Sequence, residues 1–546
     1  MDQYEKSKIL TKRYKKIKKL LNIIYGYDSF RPHQYQIINR VINGEDVCAV
    51  QPTGAGKSIC FQIPALYLDK TALVITPLIA LMDDQRFILK ELGISSCCYN
   101  SQVQNKMQLR NEILQGKYKF VYITPESATS MKDFFVKLHD QSGISLIAID
   151  EAHCISSYGF DFRKAYREIT FFKEILPMVP ILALTATATQ TVAEDICRVL
   201  GFNHIDYIQS SFDRPNLYIK VDKKNKKIDA DIIPLLKKHD GKCIIYCLTK
   251  KETVKIADIL KAHKIKCGIY YSDLDADEKC KTHVDFIKNN IRVVACTLAF
   301  GMGINIPDIR MVIHYGSPKT IEGYYQEIGR AGRDGKKSYC YTFYGEQDFM
   351  MQKSFIADCR NEAYQQVQTK MLERIMSYMR SRRCRRQIIL EYFGDIAPDN
   401  CGFCDNCCND HNNKLACEIQ TTQIVEAEAK MLINLVESLS PRAFGILMYI
   451  DILRGSASKK ITADMKKNSY YGKGKHRSIV WWKEMSENLI GQGFLQTACL
   501  RGGGFMRNII KTTKKGINWA TMSELGELFG DFNENVLEPM VMNNPV

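Results

Sequence analysis

The chain has 546 residues, a formal net charge of +16 and a hydrophobic content of 45%. At about 100–200 residues per domain, this length favours about three to five domains, each able to bury a core. No apolar run reaches the roughly 18 residues of a membrane span, which excludes a helical membrane protein, and the positive charge favours a polyanionic partner.

The N-terminal residues, Met1 to Leu21, are rich in lysine and tyrosine and lack the apolar core of a signal peptide. We therefore expect an intracellular protein with no membrane partner, in which the cysteines are reduced. In that setting a cluster of cysteines indicates metal ligands before it indicates disulfides.

Residues 6–24 combine a lysine-rich face with an apolar face at helical spacing. The apolar face consists of Ile9, Leu10, Tyr14, Ile17, Leu20, Leu21 and Ile24. We expect an amphipathic helix within a basic N-terminal extension.

Beyond this helix, short apolar runs alternate with amphipathic stretches, which is typical of parallel βαβ units. The first series predicts buried strands at Val47–Val50, Ala72–Ile75, Phe120–Ile123, Leu146–Ile149 and Ile181–Leu184. The lysine-rich stretch Lys220–Lys227 is predicted to be a linker. A second series predicts a separate α/β layer with strands at Ile244–Cys247, Cys267–Tyr271, Val293–Cys296 and Met311–His314.

A glycine-rich loop, Gln51-Pro-Thr-Gly-Ala-Gly-Lys-Ser58, follows the first predicted strand and precedes a helical stretch. Backbone N–H groups around Thr53, Gly54 and Gly56 can turn inward around phosphates, and the helix N-terminus adds a favourable dipole. Lys57 can reach the β- and γ-phosphates of a nucleotide, and Ser58 can ligate Mg²⁺. Gln51 stands where the usual pattern of this loop has its first glycine.

Two adjacent carboxylates, Asp150 and Glu151, come directly after the strand Leu146–Ile149. A carboxylate at the end of a parallel strand can face the phosphate loop across the crevice of the sheet. We expect Asp150 to hold Mg²⁺ and Glu151 to orient and polarise the water that attacks ATP.

A third element, Gln326-Glu-Ile-Gly-Arg-Ala-Gly-Arg-Asp-Gly335, lies in the second α/β layer. Its arginines, Arg330 and Arg333, can stabilise charge on a transferring phosphoryl group. They can do so only across a cleft between the two layers, so hydrolysis would be coupled to domain closure. The alternative is a pair of arginines in surface salt bridges.

The order of these motifs resembles superfamily 2 helicases, and Phe30-Arg-Pro-His-Gln34 resembles the adenine-reading motif of the RecQ family. The resemblance covers about residues 25–520 and implies that Tyr27 stacks on adenine, Gln34 reads its edge and Arg31 supports both. Further matching segments are Thr76-Pro-Leu-Ile-Ala-Leu-Met-Asp-Asp-Gln85, Thr124-Pro-Glu126, Leu184-Thr-Ala-Thr187 and Ala299-Phe-Gly-Met-Gly-Ile-Asn305.

An aromatic-rich loop follows the carboxylates and contains Tyr158, Phe160, Phe162 and Arg163. Aromatic faces stack on unpaired bases, each contributing about 1–3 kcal/mol. The loop resembles the RecQ loop that couples strand binding to the ATP site, although Tyr158 and Phe160 replace the usual tryptophan and histidine. The alternative is that these aromatics only pack between the lobes.

Cys384 is followed by Cys401, Cys404 and Cys407, the last three in a Cys-x-x-Cys-x-x-Cys arrangement. This spacing lets thiolates converge on one tetrahedral Zn²⁺ at about 2.3 Å. It resembles the RecQ zinc module, and we expect a structural role because four protein ligands leave no open position. An iron–sulphur cluster and free thiols are the alternatives.

The C-terminal part resembles a winged helix. It contains an apolar-faced helix at Phe444–Leu453, a basic turn before a second helix at Ile479–Ile490, and strands at Phe494–Leu500 and Met506–Lys511. The two strands predict a hairpin with a glycine-rich tip and Phe505 beside it. In RecQ relatives such modules bind duplex DNA, and Phe505 is a candidate contact; a plain surface wing is the alternative.

Together these features predict an α/β protein with two RecA-like parallel-sheet lobes, then a helical zinc-binding module and a winged-helix domain. The expected boundaries are 1–25 for the extension, 26–208 and 209–347 for the lobes, 348–412 for the zinc module, 413–530 for the winged helix and 531–546 for a tail.

The resemblance implies a DNA helicase that uses ATP, Mg²⁺ and Zn²⁺ and moves 3′ to 5′ on single-stranded DNA while unwinding duplex DNA. It would act in repair, recombination or replication beside proteins of those processes, in the nucleus or another DNA-containing compartment. The alternatives are an RNA helicase and a nucleic-acid scaffold that has lost hydrolysis. The zinc and winged-helix modules favour DNA, and the intact set of catalytic candidates argues against lost hydrolysis.

Overall fold

A computed structural model describes residues 3–77, 79–159, 162–300, 306–359, 361–408, 426–458, 460–502 and 505–521. The chain divides into two compact units. Unit 1 comprises Met1–Leu372 with Arg386–Asp405, and unit 2 comprises Glu373–Arg385 with Asn406–Val546. Among the described residues, none of the helices combines the length and apolar character needed to cross a bilayer.

The first lobe of unit 1 is a parallel sheet of seven strands in the order β3-β4-β2-β5-β6-β1-β7. Its strands are β1 (Val47–Val50), β2 (Thr71–Ile75), β3 (Ser96–Tyr99), β4 (Phe120–Ile123), β5 (Ile144–Ile149), β6 (Ile181–Thr185) and β7 (Tyr207–Gln209). Strands β1, β2, β4, β5 and β6 are buried along their whole length because helices cover both faces of a parallel sheet. All five strands predicted for this lobe are therefore confirmed.

The second lobe of unit 1 is a parallel sheet of six strands in the order β10-β11-β9-β12-β13-β8. Its strands are β8 (Leu217–Lys223), β9 (Lys242–Cys247), β10 (Cys267–Tyr270), β11 (Val293–Cys296), β12 (Ile309–Tyr315) and β13 (Ser338–Tyr344). The four predicted strands of this layer are confirmed, and β8 and β13 were not predicted.

The prediction of a linker at Lys220–Lys227 is wrong for its first half. Residues Lys220 to Lys223 belong to β8, which pairs with β13 at one edge of the second sheet. Burial alternates along β8: Leu217, Ile219 and Val221 are buried, Lys220 lies on the opposite face, and Lys223 is exposed at the end of the strand. The lysines that suggested a linker therefore lie on an edge strand, where charge discourages pairing with other chains.

The helices of unit 1 connect and cover these sheets. They are α1 (Gln3–Tyr25), α2 (Gln34–Ile42), α3 (Lys57–Leu68), α4 (Ile79–Glu91), α5 (Lys106–Leu114), α6 (Pro125–Thr129), α7 (Lys132–Ser142), α8 (Lys164–Glu168), α9 (Phe172–Ile175), α10 (Gln190–Val199), α11 (Ile228–Lys238), α12 (Lys250–Ala262), α13 (Ala276–Ile287), α14 (Ile321–Ile328) and α15 (Glu346–Ala357). Next in the chain come α16 (Glu362–Arg380) and α17 (Arg385–Tyr392), and a helical turn, α18, covers residues 405–408.

Unit 2 contains a helical core that supports one antiparallel hairpin. Its elements after residue 425 are α19 (Glu426–Ser438), α20 (Ile446–Leu453), α21 (Ala463–Lys466), α22 (Ile479–Gly491), β14 (Leu495–Gly502), β15 (Phe505–Thr512) and α23 (Lys514–Thr521). Trp482 is fully buried in this core and donates a hydrogen bond from its indole N–H to the carbonyl of Gly474 at 3.0 Å. The predicted helices and hairpin are confirmed, whereas the glycine tip at 503–504 lies outside the described residues.

The predicted N-terminal helix is confirmed, but it packs on the first lobe. Ile17 and Leu21 of α1 are fully buried in one cluster with Ile38 of α2 and Ile63 of α3. The lysine-rich face of α1 remains exposed, as the amphipathic pattern requires. This helix therefore contributes to the stability of the lobe.

Replacing Leu21 with alanine should destabilise the first lobe. We expect Leu21→Ala to lower the free energy of unfolding by about 2–5 kcal/mol, because the substitution leaves a cavity in a closed cluster. Ile23 lies on the same helix and is 67% exposed, so Ile23→Ala is the matched control and should cost about 0.5 kcal/mol or less. Urea denaturation followed by circular dichroism measures both; equal losses for the two variants would contradict this packing.

Candidate functional site

A cavity of about 480 Å³ lies where the two sheets of unit 1 face each other. Residues predicted independently from several motifs line it together. They are Tyr27, Arg31, Gln34, Thr53, Gly54, Gly56, Lys57, Ser58, Asp150, Glu151, Gln326, Arg330 and Arg333. The structure thus brings every predicted nucleotide-binding and catalytic candidate to one cleft.

The phosphate loop joins β1 to α3 at the floor of this cavity. Gly54 and Gly56 have φ angles of 87° and 85°, a left-handed conformation that favours glycine. Gly56 caps α3, and the next residue, Lys57, donates from Nζ to the carbonyl of Gln51 at 3.1 Å. Burial lowers the pKa of Lys57, while Glu151 and Asp150 oppose that effect. The side chain of Lys57 thus folds back on its own loop.

The segment before α2 braces the phosphate loop from one side. Gln34 is buried and donates from Nε2 to the carbonyls of Ala55 and Gly56, both at 3.1 Å. Arg31 donates from its guanidinium to the carbonyl of Gly54 and from its backbone N–H to Oε1 of Gln34 at 2.8 Å. A Cβ added at Gly56 would lie 2.6 Å from Nε2 of Gln34, so a larger residue would displace the Gln34 amide from these carbonyls.

Tyr27 lies on the cavity wall and is 51% exposed, which leaves its ring open to a ligand. Its position is compatible with stacking on a planar base.

The two carboxylates lie at the carboxyl end of β5. Burial raises the pKa of Asp150 to about 6, and the neighbouring charge of Glu151 adds to this effect. Burial also acts to raise the pKa of Glu151, but a hydrogen bond and positive charge from His153 outweigh it, so that this pKa is lowered. His153 Nδ1 lies 3.3 Å from Oε2 of Glu151 and 3.0 Å from Oγ1 of Thr185. The pair thus combines one carboxyl that resists ionisation with one that stays ionised.

Residues of the second lobe complete the cleft. Gln326 of α14 donates from Nε2 to Oγ1 of Thr187 in the first lobe at 2.9 Å. Arg330 is buried, and Cγ of Arg333 lies 3.7 Å from the position of a Cβ added at Gly54. Burial, together with the charges of Arg330 and Arg214, lowers the pKa of Arg333 to about 9. The arginine loop therefore reaches the phosphate loop directly.

Arg214 was missed by the sequence reasoning. It lies before β8 and donates hydrogen bonds to backbone carbonyls of both the phosphate loop and the arginine loop. Contacts to main-chain carbonyls leave no pattern in the residue types of their partners, so only the polar segment Asp213-Arg-Pro-Asn216 before the strand could have drawn attention to it.

The aromatic loop begins shortly after the carboxylates, and the helix that follows the loop contacts Asp150 again. Tyr158 is 53% exposed, Phe162 is half-buried, and the backbone N–H of Arg163 donates to the carbonyl of Cys154 at 3.0 Å. In α8, which follows the loop, the hydroxyl of Tyr166 donates to the carbonyl of Asp150 at 2.9 Å. Phe160 lies outside the described residues. The loop is therefore tied to the carboxylate pair at both ends.

Phe505 is the first residue of β15, and its side chain lies outside what the structure describes.

The four predicted cysteine ligands come together. The sulfurs of Cys384, Cys401, Cys404 and Cys407 all lie within 4.8 Å of one another, and three of the four residues are buried. A tetrahedral Zn²⁺ with Zn–S bonds of about 2.3 Å requires sulfurs about 3.8 Å apart, so the cluster fits that ion. Within the described part of the chain, Cys408 does not belong to this group.

Family comparisons match almost the whole chain in four successive parts. The DEAD/DEAH box helicase family matches residues 31–196, and the helicase conserved C-terminal domain matches residues 223–335. The RecQ zinc-binding family matches residues 346–408, and the RQC domain matches residues 420–523.

Similar proteins carry helicase names. The chain is 60% identical over 544 residues to a protein of Acanthamoeba polyphaga mimivirus named putative ATP-dependent RNA helicase R290, and the match covers 99% of each. It is 36% identical to the ATP-dependent DNA helicase RecQ of Bacillus subtilis, covering 93% of this chain and 87% of that protein. It is also 36% identical to the mouse bifunctional 3′-5′ exonuclease/ATP-dependent helicase WRN, over 100% of this chain but 40% of that protein.

Solved structures share the fold at low identity. Dbp5 of S. cerevisiae bound to RNA and ADP BeF3 is 20% identical with a TM-score of 0.50, over 65% of this chain and 97% of that one. The motifs in the cleft, the cysteine cluster and the full-length match to RecQ of B. subtilis agree with one another. The chain belongs to the RecQ family of superfamily 2 helicases.

Proposed function

We propose that this protein is an ATP-dependent DNA helicase that moves 3′ to 5′ along single-stranded DNA and unwinds duplex DNA. The observation that supports this most is the cleft of unit 1, where the phosphate loop, the carboxylate pair and the arginine loop line one cavity. The repair, recombination or replication setting, in a DNA-containing compartment, follows from the family and is part of the proposal.

Each side chain of the cleft has a role that its position supports. Tyr27 and Gln34 bind the adenine, with Arg31 supporting both. The backbone from Thr53 to Gly56 and the ammonium of Lys57 hold the phosphates. Ser58 and Asp150 would hold Mg²⁺, which neutralises phosphate charge when bound.

The hydrolytic step depends on groups from both lobes. Glu151, which its lowered pKa keeps ionised, orients and polarises the attacking water. Arg330 and Arg333 stabilise the negative charge that develops on the γ-phosphoryl group. Gln326 links the two sides through its hydrogen bond to Thr187. Because these groups come from two sheets, hydrolysis and lobe movement are coupled, which is the basis of translocation.

The choice of DNA over RNA rests on the modules after the two lobes. The RQC and RecQ zinc-binding families both match this chain, and relatives that share them are named DNA helicases. An RNA helicase is the second candidate because the mimivirus relative carries that name. The two lobes are common to both candidates, so the lobes do not discriminate between them.

The nucleic-acid type can be tested by measuring ATPase rates with single-stranded DNA and RNA of one sequence. We expect stimulation by DNA, and unwinding of duplexes with a 3′ tail but not of those with a 5′ tail. Glu151→Gln is the control; it should bind ATP but hydrolyse it about 10²–10⁴-fold more slowly, because the water loses its base. Lys57→Ala should instead weaken ATP binding. Stimulation by RNA alone would sink the DNA assignment.

The cysteine cluster is assigned to one structural Zn²⁺. Four thiolates complete a tetrahedral shell and leave no position for substrate. The thiolates also suit an iron–sulphur cluster, and elemental analysis distinguishes zinc from iron.

Elemental analysis of the purified protein should find about one zinc per chain, held by Cys384, Cys401, Cys404 and Cys407. Cys404→Ser should lose the metal and lower the melting temperature, because metal-binding energy is folding energy in small metal modules. The matched control is Cys408→Ser, which should keep both. Iron with visible absorbance, or full zinc content in Cys404→Ser, would contradict the assignment.

We also propose that the aromatic loop senses the nucleic-acid strand. Tyr158 and Phe162 offer faces for bases, Arg163 offers a charge for phosphates, and Phe160 belongs to the same run of aromatics. The hydroxyl of Tyr166, which follows the loop, contacts the carbonyl of Asp150. A displaced loop therefore acts on the carboxylates through one hydrogen bond.

Phe505 of the hairpin is proposed as a duplex contact.

Phe162→Ala should spare basal ATP turnover and sharply reduce its stimulation by single-stranded DNA. Loss of one stacked base, worth about 1–3 kcal/mol, should weaken the apparent DNA affinity about 5- to 150-fold. Phe355→Ala serves as the control, since Phe355 is an exposed phenylalanine on α15. The ATPase rate is measured against DNA concentration, beside a melting curve. Normal stimulation in a folded Phe162→Ala protein would rule out the sensor.

A further inference from the structure

The segment between the two sheets, residues 210–216, carries one arginine that contacts both lobes. Nη1 of Arg214 donates to the carbonyls of Thr53 and Gly329, both at 3.3 Å. Nη2 donates to the carbonyls of Ala331 and Gly332 at 2.8 and 3.0 Å. One guanidinium thus joins the phosphate loop of the first lobe to the arginine loop of the second.

The four contacts are divided unequally between the lobes. Gly329, Ala331 and Gly332 belong to the arginine loop, whereas Thr53 alone belongs to the phosphate loop. Three of the four bonds therefore tie Arg214 to the second lobe, and the bond to Thr53 is its one contact to the phosphate loop.

The backbone around Arg214 is itself held in place. Nη2 of Arg386 in α17 donates to the carbonyls of Arg214, Pro215 and Leu217 at 3.2–3.5 Å. Asp395 accepts hydrogen bonds from Oγ of Ser211 at 2.8 Å and from the backbone N–H of Phe212 at 2.7 Å. With its backbone fixed in this way, the guanidinium is presented at a set position.

A second anchor is aromatic. The ring of Phe212 stacks on that of Phe393, with centroids 4.3 Å apart and planes 8° apart. The hydroxyl of Tyr325 in α14 donates to the carbonyl of Phe212 at 2.7 Å. The segment is thus fixed to the helix that leads into the arginine loop.

The loops joined by Arg214 pass so close to each other that a single added carbon would bring them into van der Waals contact. A Cβ added at Gly329 would lie 3.4 Å from Cβ of Thr53, and one added at Gly54 would lie 3.7 Å from Cγ of Arg333. A small shift between the loops would therefore move Arg333 relative to the phosphates. Arg214 does not itself line the nucleotide cavity.

We propose that Arg214 is a positioning residue for ATP hydrolysis: on closure it locks the phosphate loop to the arginine loop and so sets the place of Arg333. This inference rests on the proposed ATPase function. Because Arg214 acts through Arg333 and does not itself line the nucleotide cavity, its loss should lower the rate of hydrolysis and leave nucleotide affinity nearly unchanged.

A lysine cannot substitute for Arg214. The guanidinium presents donors in a planar fork, and this fork reaches four carbonyls on two loops at once. A lysine keeps the charge but offers a single nitrogen, which cannot span both loops. We therefore expect Arg214→Lys to behave like Arg214→Gln in hydrolysis while retaining the fold, which separates the geometry of the side chain from its charge.

The test is a double-mutant cycle between Arg214 and Arg333 in the full chain, with single-stranded DNA present. Single-turnover hydrolysis, the dissociation constant of a fluorescent ATP analogue and the melting temperature are measured for the wild type, Arg214→Gln, Arg214→Lys, Arg333→Ala and the double variant Arg214→Gln/Arg333→Ala. Arg292→Gln is the matched control; Arg292 also lies in the second lobe and donates to a carbonyl, that of Leu236 at 2.5 Å.

We expect both Arg214 variants to slow single-turnover hydrolysis about 100-fold, since a displacement of about 1 Å at a reacting centre has an effect of that order. The analogue's affinity should stay within about 3-fold, and in the Arg333→Ala background the Arg214→Gln substitution should have almost no further effect. Arg292→Gln should hydrolyse ATP like the wild type.

Additive losses in the double variant, or a folded Arg214→Gln protein that matches Arg292→Gln, would overturn the inference while the ATPase function stands. A wild-type protein that hydrolyses no ATP with DNA or RNA would instead overturn the proposed function. Rescue of hydrolysis by Arg214→Lys would show that charge alone suffices, and would also reject the positioning role.

Discussion

The cleft of unit 1 buries charges of both signs, and they are stable there only because they face one another. An isolated buried charge is costly. Removing one partner of a buried ion pair is therefore strongly destabilising, because the remaining charge is left uncompensated. Burial lowers the pKa of Lys57 and Arg333 and raises that of Asp150. Lys57 and the carboxylates come from one sheet and compensate one another in part, whereas the arginines come from the other sheet and meet the carboxylates only when the two sheets face each other.

The strand order of the two sheets determines where these charged side chains lie. The first sheet runs β5-β6-β1 through its centre, and the carboxyl ends of parallel strands meet at one edge. The phosphate loop follows β1, Asp150 follows β5 and Thr187 follows β6, so all three lie at that edge. Left-handed backbone at Gly54 and Gly56 then turns the loop toward the cavity. In the second sheet, α14 follows β12 and presents Gln326 to the same cleft.

The sequence was sufficient for features that depend on local pattern. Buried parallel strands are continuous apolar runs, so β1, β4 and β11 were located residue for residue. The edge strand β8 contains Lys220 and Lys223, and these lysines were mistaken for part of a linker, because pairing with β13 is not visible in local sequence. The short strand β3, Ser96–Tyr99, was missed because half of its residues are cysteines at a point with little branched apolar character.

The same dependence on local pattern explains which residues of the site could be predicted from the sequence. Motifs in which the residue type performs the chemistry, such as Lys57 and the carboxylate pair, could be recognised, and so could four cysteines at metal-binding spacing. Arg214 could not, because its partners are backbone carbonyls of residues far away in the chain. Its position is meaningful only once two loops from different sheets are known to touch.

The segment that contains Cys404 also covers the edge strand β8, which its lysines shield from other chains only in part. An edge strand leaves backbone donors unpaired, which invites association with other chains. Oδ2 of Asp405 accepts from the backbone N–H of Val221 at 2.9 Å, and Cys404 forms a parallel bridge to Ile219. Both contacts are made by the segment that carries the converging cysteines. A metal held there would stiffen the cover of this edge, and through β8 it would steady the start of the strand that Arg214 precedes. Cys404 and Asp405 thus help to hold the edge of the second lobe.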